Sequence, residues 1–310
     1  MDFRLTDDQR ALRQGIRELL EGRFGREALR AAVDRGDGKG GGVLDRELWR
    51  ELGAAGFFTL CLPEADGGVG QGLPEAVLAF EEAGRVLLPG PLIATHLAAG
   101  AVAGAATGEV VVTAVDGGLV EWLDEADVVR GDTTGAEPLA SVDPLTPLHR
   151  LPASPTARSE GDALRAARTA DALLTSLLTA AEQLGSASRT CETAVQHART
   201  REQFGQPIGA FQAVQHLCAG LLVRVEVARA AVYAASVTAD PVDIAAARLL
   251  ADDAAVRGAR DCLQVHGGMG FTWESDVHLH LKRAWLRTHR AGGITQGEER
   301  LAEDLSAGTA

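Results

Sequence analysis

The sequence predicts a mainly α-helical protein with an N-terminal helical domain, a shortened middle β region and a C-terminal four-helix bundle. Apolar residues recur at helical spacing through the first hundred residues and again from residue 162 almost to the end of the chain. Between these parts, the period is lost in valine-rich segments, glycine turns and a proline-rich stretch. These observations divide the chain into residues 1–106, 107–161 and 162–310.

The N-terminal helices are indicated by their ends as well as by their apolar residues. Thr6 and Gln9 have the spacing of a capping box at the start of a helix. A glycine-rich break at 34–42 precedes a second helix. Residues 73–88 form a third helix that stops at a Pro-Gly-Pro sequence, and residues 92–106 are interpreted as a fourth. The apolar residues at helical spacing in the first two are Leu12, Ile16, Leu19, Leu20, Phe24, Leu44, Leu48 and Leu52.

The middle region is predicted to be a small sheet or an irregular insert. Residues 109–115 have strand character, and an Asp-Gly-Gly turn allows residues 119–123 to return as a hairpin. Residues 127–129 suggest another short strand. From residue 135 to residue 155 the chain holds five prolines and shows no clear period.

Four helices follow, over about residues 162–199, 213–235, 241–266 and 274–290. Their lengths, with short turns between them, are typical of an antiparallel bundle.

Composition and charge exclude several classes of protein. The formal net charge of −13 argues against nucleic acid or an anionic membrane as the main partner. The most apolar stretch, residues 91–115, contains His96 and Glu109 and is too polar for a membrane span. The cysteines form no metal-binding pattern and the N-terminus has no signal-peptide pattern, so we expect reduced thiols in a cytoplasmic protein. The cysteines are Cys61, Cys191, Cys218 and Cys262.

Residues 196–212, QHARTREQFGQPIGAFQ, contain groups suited to a nucleotide. The guanidinium of Arg201 suits a diphosphate, and the ring of Phe204 suits an aromatic base. The side chains of Gln203 and Gln212 can add amide hydrogen bonds. The alternative is an ordinary turn between two helices with an arginine on the surface, and the residues alone do not decide between the two.

Residues 264–272, QVHGGMGFT, allow two interpretations in the same way. Gly267, Gly268 and Gly270 would let a ligand approach the backbone closely, with Gln264 beside them. The same glycines would also simply end a helix.

Together the two segments resemble the acyl-CoA dehydrogenase family. The family pattern R-x-x-F-G-x-x-I-x-x-x-Q, followed about 50 residues later by Q-x-x-G-G-x-G-F, is matched in order and spacing. The matching residues are Arg201, Phe204, Gly205, Ile208, Gln212, Gln264, Gly267, Gly268, Gly270 and Phe271. The resemblance extends over residues 1–106 and 162–290. It implies the family fold and the α,β-dehydrogenation of an acyl-CoA thioester with FAD, in which a glutamate removes the α-proton.

The sequence departs from the family pattern where the chemistry takes place. The middle region is about half the usual length and lacks the T-E-P-x-x-G-S-D and W-x-T-N segments that hold the isoalloxazine ring. Gln296 stands where the catalytic glutamate of the family's Y-E-G-T motif is expected. Thr175 stands where other members carry that glutamate on the first bundle helix. Neither an amide nor this hydroxyl serves as the carboxylate base.

The resemblance therefore implies a non-catalytic subunit that completes the flavin site of a partner. It is similar to actinobacterial α2β2 heterotetramers, whose unlike subunits share each FAD and several of which act on CoA thioesters of steroid side chains. In that arrangement the partner supplies the catalytic glutamate, and this chain contacts the ADP half of FAD. The cofactor-binding residues are then Arg201, Gln203, Phe204, Gln212, Gln264, Gly267 and Gly268.

Two other hypotheses stay open at this point. In one, the chain is a self-sufficient homomeric dehydrogenase that uses Glu298 or Glu299 as its base. In the other, it is a non-enzymatic binding or scaffold protein that keeps the fold without the flavin.

Overall fold

The computed structural model describes residues 4–35, 42–152, 162–290 and 293–307, and it is mainly helical, as predicted. The helices are α1 (Asp7–Arg23), α2 (Arg26–Arg35), α3 (Arg46–Ala54), α4 (Leu73–Arg85), α5 (Leu92–Ala98), α6 (Asp162–Thr200), α7 (Gln212–Thr238), α8 (Pro241–His266), α9 (Val277–Arg287) and α10 (Gly293–Ala307). The strands are β1 (Val112–Asp116), β2 (Leu119–Glu121), β3 (Val128–Arg130), β4 (Glu137–Leu139), β5 (Leu148–Arg150), β6 (Glu202–Gln203) and β7 (Gln206–Pro207).

The ends of several helices agree with the sequence prediction. The capping box is present, since the Thr6 hydroxyl accepts from the Gln9 N–H at 3.1 Å and the Gln9 side chain accepts from the Thr6 N–H at 3.0 Å. Helix α8 begins and ends at the predicted residues, and α7 is slightly longer than predicted. The predicted boundary at 106 stays a prediction, and the boundary at 161 lies outside the described residues.

The predicted helix over residues 92–106 is wrong beyond Ala98. Helix α5 ends there, and turns continue to residue 110. Gly104 adopts a φ of +85°, which is incompatible with a continuing right-handed helix. The alanine-rich composition favoured a helix, but glycine backbone geometry overrides that preference.

Helices α4 and α6 cross at a pair of glycines. A Cβ on Gly84 would lie 2.0 Å from the carbonyl oxygen of Glu182, and a Cβ on Gly185 would lie 1.9 Å from the carbonyl oxygen of Glu81. Each helix thus presses its backbone against a glycine of the other. This crossing joins the N-terminal helices to the C-terminal bundle.

Replacement of Gly185 by alanine is therefore expected to lower the free energy of unfolding by about 3 kcal/mol, the upper end for overpacking, because the facing atom is backbone. Denaturant unfolding measures the effect. Gly15→Ala is the matched control, since Gly15 lies inside α1 with nothing within 4 Å of its Cβ. That variant should be more stable by about 0.5–1 kcal/mol. Equal stability of the two variants would contradict the crossing.

The middle region forms one sheet in the order β3-β1-β2-β5-β4. Strands β1 and β2 are an antiparallel hairpin with Asp116 opposite Leu119, which confirms the predicted hairpin. Strand β3 pairs with β1 in parallel, close to its predicted position. Strands β4 and β5 were not predicted, because three residues each are too few to show a period among the prolines.

Three arginines of one face of α9 and the segment just after it tie the sheet region to the bundle. We call Arg283, Arg287 and Arg290 the arginine ladder. Their spacing of four and then three residues places them on the same side of the helix. Arg287 is 2% exposed and donates to both carboxylate oxygens of Glu121 at 2.9 and 3.0 Å. It also pairs with Glu182 of α6 at 2.7 Å.

The other two members of the ladder pair with the sheet region in the same way. Arg283 is hydrogen-bonded to the fully buried Asp143. Arg290 pairs with Asp116 at 3.4 Å and with Glu121 at 3.5 Å. A small cavity of about 10 Å³ lies beside Asp116, Glu121 and Arg290. Ion pairs therefore hold the sheet region against the bundle.

Two buried histidines make the fold sensitive to acid. Burial lowers the pKa of His96 to about 4, although hydrogen bonds with the backbone of Phe57 and Phe58 act to raise it. Burial, with Arg189 nearby, lowers the pKa of His280 to about 3, where the ring is 2.8 Å from the Ser186 hydroxyl. Both imidazoles are thus neutral in the folded protein near neutral pH.

The free energy of unfolding is expected to fall as the pH drops below about 6.5, the ordinary histidine pKa. In that range the unfolded chain binds more protons than the folded chain, so acid favours unfolding. Each histidine contributes up to about 1.4 kcal/mol per pH unit. Urea unfolding at pH 7 and pH 5 measures the change, and a midpoint at pH 5 that equals or exceeds that at pH 7 would contradict it. His96→Gln should reduce the difference.

Across the described ranges, no helix is both long enough and apolar enough to pass through a bilayer. The same residues contain no group of three or more potential metal-ligating side chains. The four cysteines are free thiols, as predicted.

Candidate functional site

The two segments singled out from the sequence lie side by side at neighbouring ends of α6 and α8. We call residues 196–212 and 264–272 together the clasp. The imidazole of His197, one turn before the end of α6, stacks on that of His266, the last residue of α8. Their ring centroids are 4.1 Å apart and their planes differ by 19°. Two stretches separated by more than fifty residues in sequence thus form one surface.

The first half of the clasp is a hairpin. Strands β6 and β7 pair with Gln203 opposite Gln206, and the Ile208 N–H donates to the Arg201 carbonyl at 2.8 Å. Phe204 and Gly205 form the two-residue turn, with φ values of +54° and +80°. Positive φ at both central residues is typical of a type I′ turn, which favours asparagine and glycine.

Phe204 is therefore unusual in two respects. A bulky side chain in the left-handed region costs about 1–2 kcal/mol relative to an ordinary conformation. The ring is also 92% exposed, so burial of apolar surface does not offset that cost. Among the described residues, this ring contacts that of Phe211 edge to face, with the ring centroids 6.0 Å apart. Strain of this kind concentrates at functional sites, where a residue is held ready for a ligand.

The polar groups of the hairpin face solvent. Arg201 and Gln212 are exposed, and no ion pair joins the Arg201 guanidinium to any described residue. Among the described residues, the Gln203 side chain donates to its neighbour, the Glu202 carbonyl, at 2.7 Å. Gln212 begins α7 immediately after Phe211, as predicted. The hairpin therefore presents a cation, an aromatic ring and two amides outwards.

The second half of the clasp is the glycine-rich end of α8. Gly267 has a φ of +61°, which requires glycine, and a Cβ on Gly270 would lie 2.9 Å from the Leu263 carbonyl oxygen. Gly268 is different, because it lies outside the left-handed region and nothing is within 4 Å of its Cβ. The chain's own folding accounts for Gly267 and Gly270, but not for Gly268. Gln264 is exposed beside them.

A cavity of about 520 Å³ opens beside the stacked histidines. Phe24 and Arg26 line its N-terminal wall, and Asp276 faces them from the bundle. Arg26 pairs with Asp276 at 2.7 Å, so the wall is held by an ion pair between the two helical parts. The pKa of His197 is lowered by burial and by the nearby His266 and Arg201.

His197 and His266 are the residues that sequence reasoning missed within the clasp. Both lie in the quoted segments, one turn from Arg201 and two residues from Gln264. A signal was present, since each is an aromatic ring at the end of a long predicted helix next to a motif residue. Their stacking depends on how α6 and α8 pack, which the spacing does not reveal.

None of the positions considered for a catalytic base belongs to the clasp segments. Glu298 and Glu299 are exposed on α10. Thr175 is half-buried on α6, where its carbonyl accepts from the Thr179 hydroxyl at 2.7 Å. Residue 296 is within α10, but its side chain lies outside the described ones.

Comparison with known proteins matches both helical parts of the chain to one family. The family described as acyl-CoA dehydrogenase, N-terminal domain, matches residues 6–110, and that described as acyl-CoA dehydrogenase, C-terminal domain, matches residues 167–304. The Mycobacterium tuberculosis protein named acyl-CoA dehydrogenase IpdE2 is 36% identical over 305 residues, which covers 90% of this chain and 91% of IpdE2.

Solved structures agree with the sequence comparison. A chain of the ChsE4-ChsE5 complex from Mycobacterium tuberculosis superposes with a TM-score of 0.81 at 26% identity, covering 99% of both chains. A chain of a variant of the Tcur3481-Tcur3483 steroid ACAD superposes with a TM-score of 0.82 at 25% identity, covering 98% of this chain and 99% of its own. The cofactor of the matched family is FAD. With both helical parts matched in order and the fold shared throughout, the chain belongs to the acyl-CoA dehydrogenase family of oxidoreductases.

Proposed function

We propose that the chain is the non-catalytic subunit of a heteromeric FAD-dependent acyl-CoA dehydrogenase. It supplies the surface that holds the ADP half of a flavin, while the partner subunit holds the isoalloxazine ring and provides the catalytic glutamate. The observation that carries the proposal is the exposed, strained aromatic of the hairpin beside an arginine without an ion pair among the described residues. These groups are arranged for a ligand that comes from outside the chain.

The residues of the clasp fit the ADP half of FAD. The Arg201 guanidinium can donate two parallel hydrogen bonds to a diphosphate. The exposed ring of Phe204 can cover an adenine. Gly268, with open space above its backbone, allows close approach of the phosphates or ribose. When bound, FAD supplies the hydride acceptor, and the role of this chain is to hold and orient it.

The residues at the family's catalytic positions support a non-catalytic role. The arginine ladder occupies the contact between the sheet and the bundle with buried ion pairs. The segments that hold the ring in the family are absent from the sequence. Gln296 and Thr175 stand at the two positions where the family carries its catalytic glutamate. Glu298 and Glu299 are exposed.

The names of the structural neighbours favour a particular class of reaction. One neighbour is a complex of two differently named proteins, and another is named a steroid ACAD. We infer that this chain also acts in an α2β2 assembly, on an acyl-CoA thioester with a bulky group such as a steroid side chain. The reaction is α,β-dehydrogenation, with the proton removed by the partner's glutamate.

Co-expression with an acyl-CoA dehydrogenase subunit encoded beside it tests the proposal. The purified complex should contain two copies of each chain and one FAD per two chains, and an acyl-CoA should bleach its flavin absorbance. The chain purified alone with FAD should not oxidise an acyl-CoA. Rapid oxidation by the chain alone would overturn the proposal, and a colourless complex would favour a scaffold.

The same preparation separates the proposal from a self-sufficient enzyme. Replacing both Glu298 and Glu299 by glutamine should leave the activity of the complex unchanged, because the base belongs to the partner. Loss of activity in that double variant, with FAD still bound, would assign the base to this chain.

Gly268→Ala is expected to weaken FAD binding to the complex by about tenfold, equivalent to about 1.4 kcal/mol, because a methyl group enters the space of the ligand. The same variant should change the free energy of unfolding by less than about 0.5 kcal/mol, since its Cβ meets nothing in the chain. FAD titration followed by flavin fluorescence measures the binding. Gly270→Ala is the contrasting control, because its Cβ meets backbone and should destabilise the fold. Unchanged FAD affinity in Gly268→Ala would remove the ligand explanation for this glycine.

A further inference from the structure

The tautomer of one of the two stacked histidines, His266, follows from its hydrogen bond. The Nδ1 atom of His266 is 2.8 Å from the carbonyl oxygen of Cys262. A carbonyl oxygen can only accept, so Nδ1 carries the proton and donates it. This bond fixes the ring plane of His266 against α8, and the ring of His197 then lies nearly parallel to it.

Each histidine is linked through the backbone to a predicted ligand-binding group. The Arg201 N–H donates to the carbonyl oxygen of His197 at 2.9 Å, so the position of His197 sets where the hairpin leaves α6. His266 directly precedes Gly267, whose backbone turns the chain towards Gly268. A shift of one ring relative to the other therefore shifts the arginine relative to the glycine backbone.

We propose that His197 and His266 are positioning residues that set the spacing between the two halves of the clasp. This inference rests on the proposed function, because the spacing that they set is that between Arg201 and Gly268. A diphosphate held by both requires them at a fixed separation, and the stacked rings are a side-chain contact that joins the two segments directly.

The stacked pair adds little to the stability of the bundle itself. Helices α6 and α8 are held along their length by fully buried small residues. Both imidazoles lie only partly buried at the end of that contact. Removing one ring should therefore loosen the clasp without unfolding the helices. The residues that hold the helices include Ala187, Ala194, Ala247, Ala251 and Ala255.

The test is a double-mutant cycle on the co-expressed complex. His197→Leu, His266→Leu and the double variant are titrated with FAD, and flavin fluorescence gives the affinity. Each single variant should bind FAD about threefold to tenfold more weakly, as expected for the loss of an aromatic pair, and the double variant no more weakly than a single one. His197→Phe, which retains a stacked ring, should restore most of the affinity.

Controls separate this inference from the proposed function and from a structural effect. His289→Leu removes an exposed histidine outside the clasp and should leave FAD affinity unchanged. Thermal unfolding of all variants should remain close to that of the unaltered complex. If the unaltered complex binds no FAD, the proposed function fails. If it binds FAD and the leucine variants bind equally well, or if their losses simply add, the positioning role fails alone.

Discussion

Replacement of Arg287 by alanine is expected to lower the free energy of unfolding by about 3–5 kcal/mol, the range for breaking a buried ion pair from one side. Arg287 lies between two acidic residues, Glu121 from the sheet and Glu182 from α6. Burial alone raises the pKa of Glu121, but Arg287 and Arg290 offset this effect, and the pKa is lowered overall. Without Arg287, two buried carboxylates lose their main partner.

Urea unfolding of the variant measures this loss, and Arg257→Ala is the matched control. Arg257 pairs with Asp253 at 2.7 Å, but the two side chains are 67% and 43% exposed. An exposed pair of this kind contributes about 0.3–0.5 kcal/mol. Similar losses in the two variants would mean that the arginine ladder does not hold the sheet region against the bundle.

Replacement of Arg201 by alanine is expected to weaken FAD binding to the complex by about tenfold to a hundredfold, the range for removing hydrogen bonds to a charged group. The free energy of unfolding should barely change, because the guanidinium forms no ion pair with the residues that the structure describes. Arg201→Lys should recover only part of the affinity, since a lysine cannot form two parallel hydrogen bonds.

Arg199→Ala controls for the general loss of a positive charge. Arg199 is also exposed and lies two residues earlier, on α6. FAD titration of the two variants should separate them clearly. Equal weakening in both would indicate long-range electrostatic attraction, and no weakening in either would remove Arg201 from the clasp.

The helices whose apolar residues recur at regular spacing could be predicted from the sequence. Helix α8 has a capping aspartate before Pro241 and a glycine after His266, so both ends were correctly placed. Strands β4 and β5 could not be found, because three residues each are too few to show an alternation, and β5 completes the sheet by pairing with β2, about thirty residues earlier. Helix α2 was also absent from the prediction, although it buries Leu29, Ala32 and Val33 at helical spacing.

The clasp was predictable as two sequence motifs but not as one surface. The spacing of Arg201, Phe204 and Gln212 is local and can be recognised without a structure. The contact between His197 and His266 depends on the depth to which α6 and α8 pack, which is set by small buried residues far from the motifs. The arginine ladder likewise joins groups more than a hundred residues apart, so its spacing on α9 shows where its face lies but not what it meets.

The turn at Phe204 and Gly205 has a consequence for protein engineering. A redesign that optimises stability alone would place asparagine at position 204, because an Asn-Gly pair suits a type I′ turn and avoids the strain of an aromatic residue there. Such a change would improve the isolated chain while erasing the ring that the proposed ligand requires. Positions at which the energetically preferred residue differs from the natural one are thus informative in their own right, since local strain without compensating burial indicates a role outside the fold.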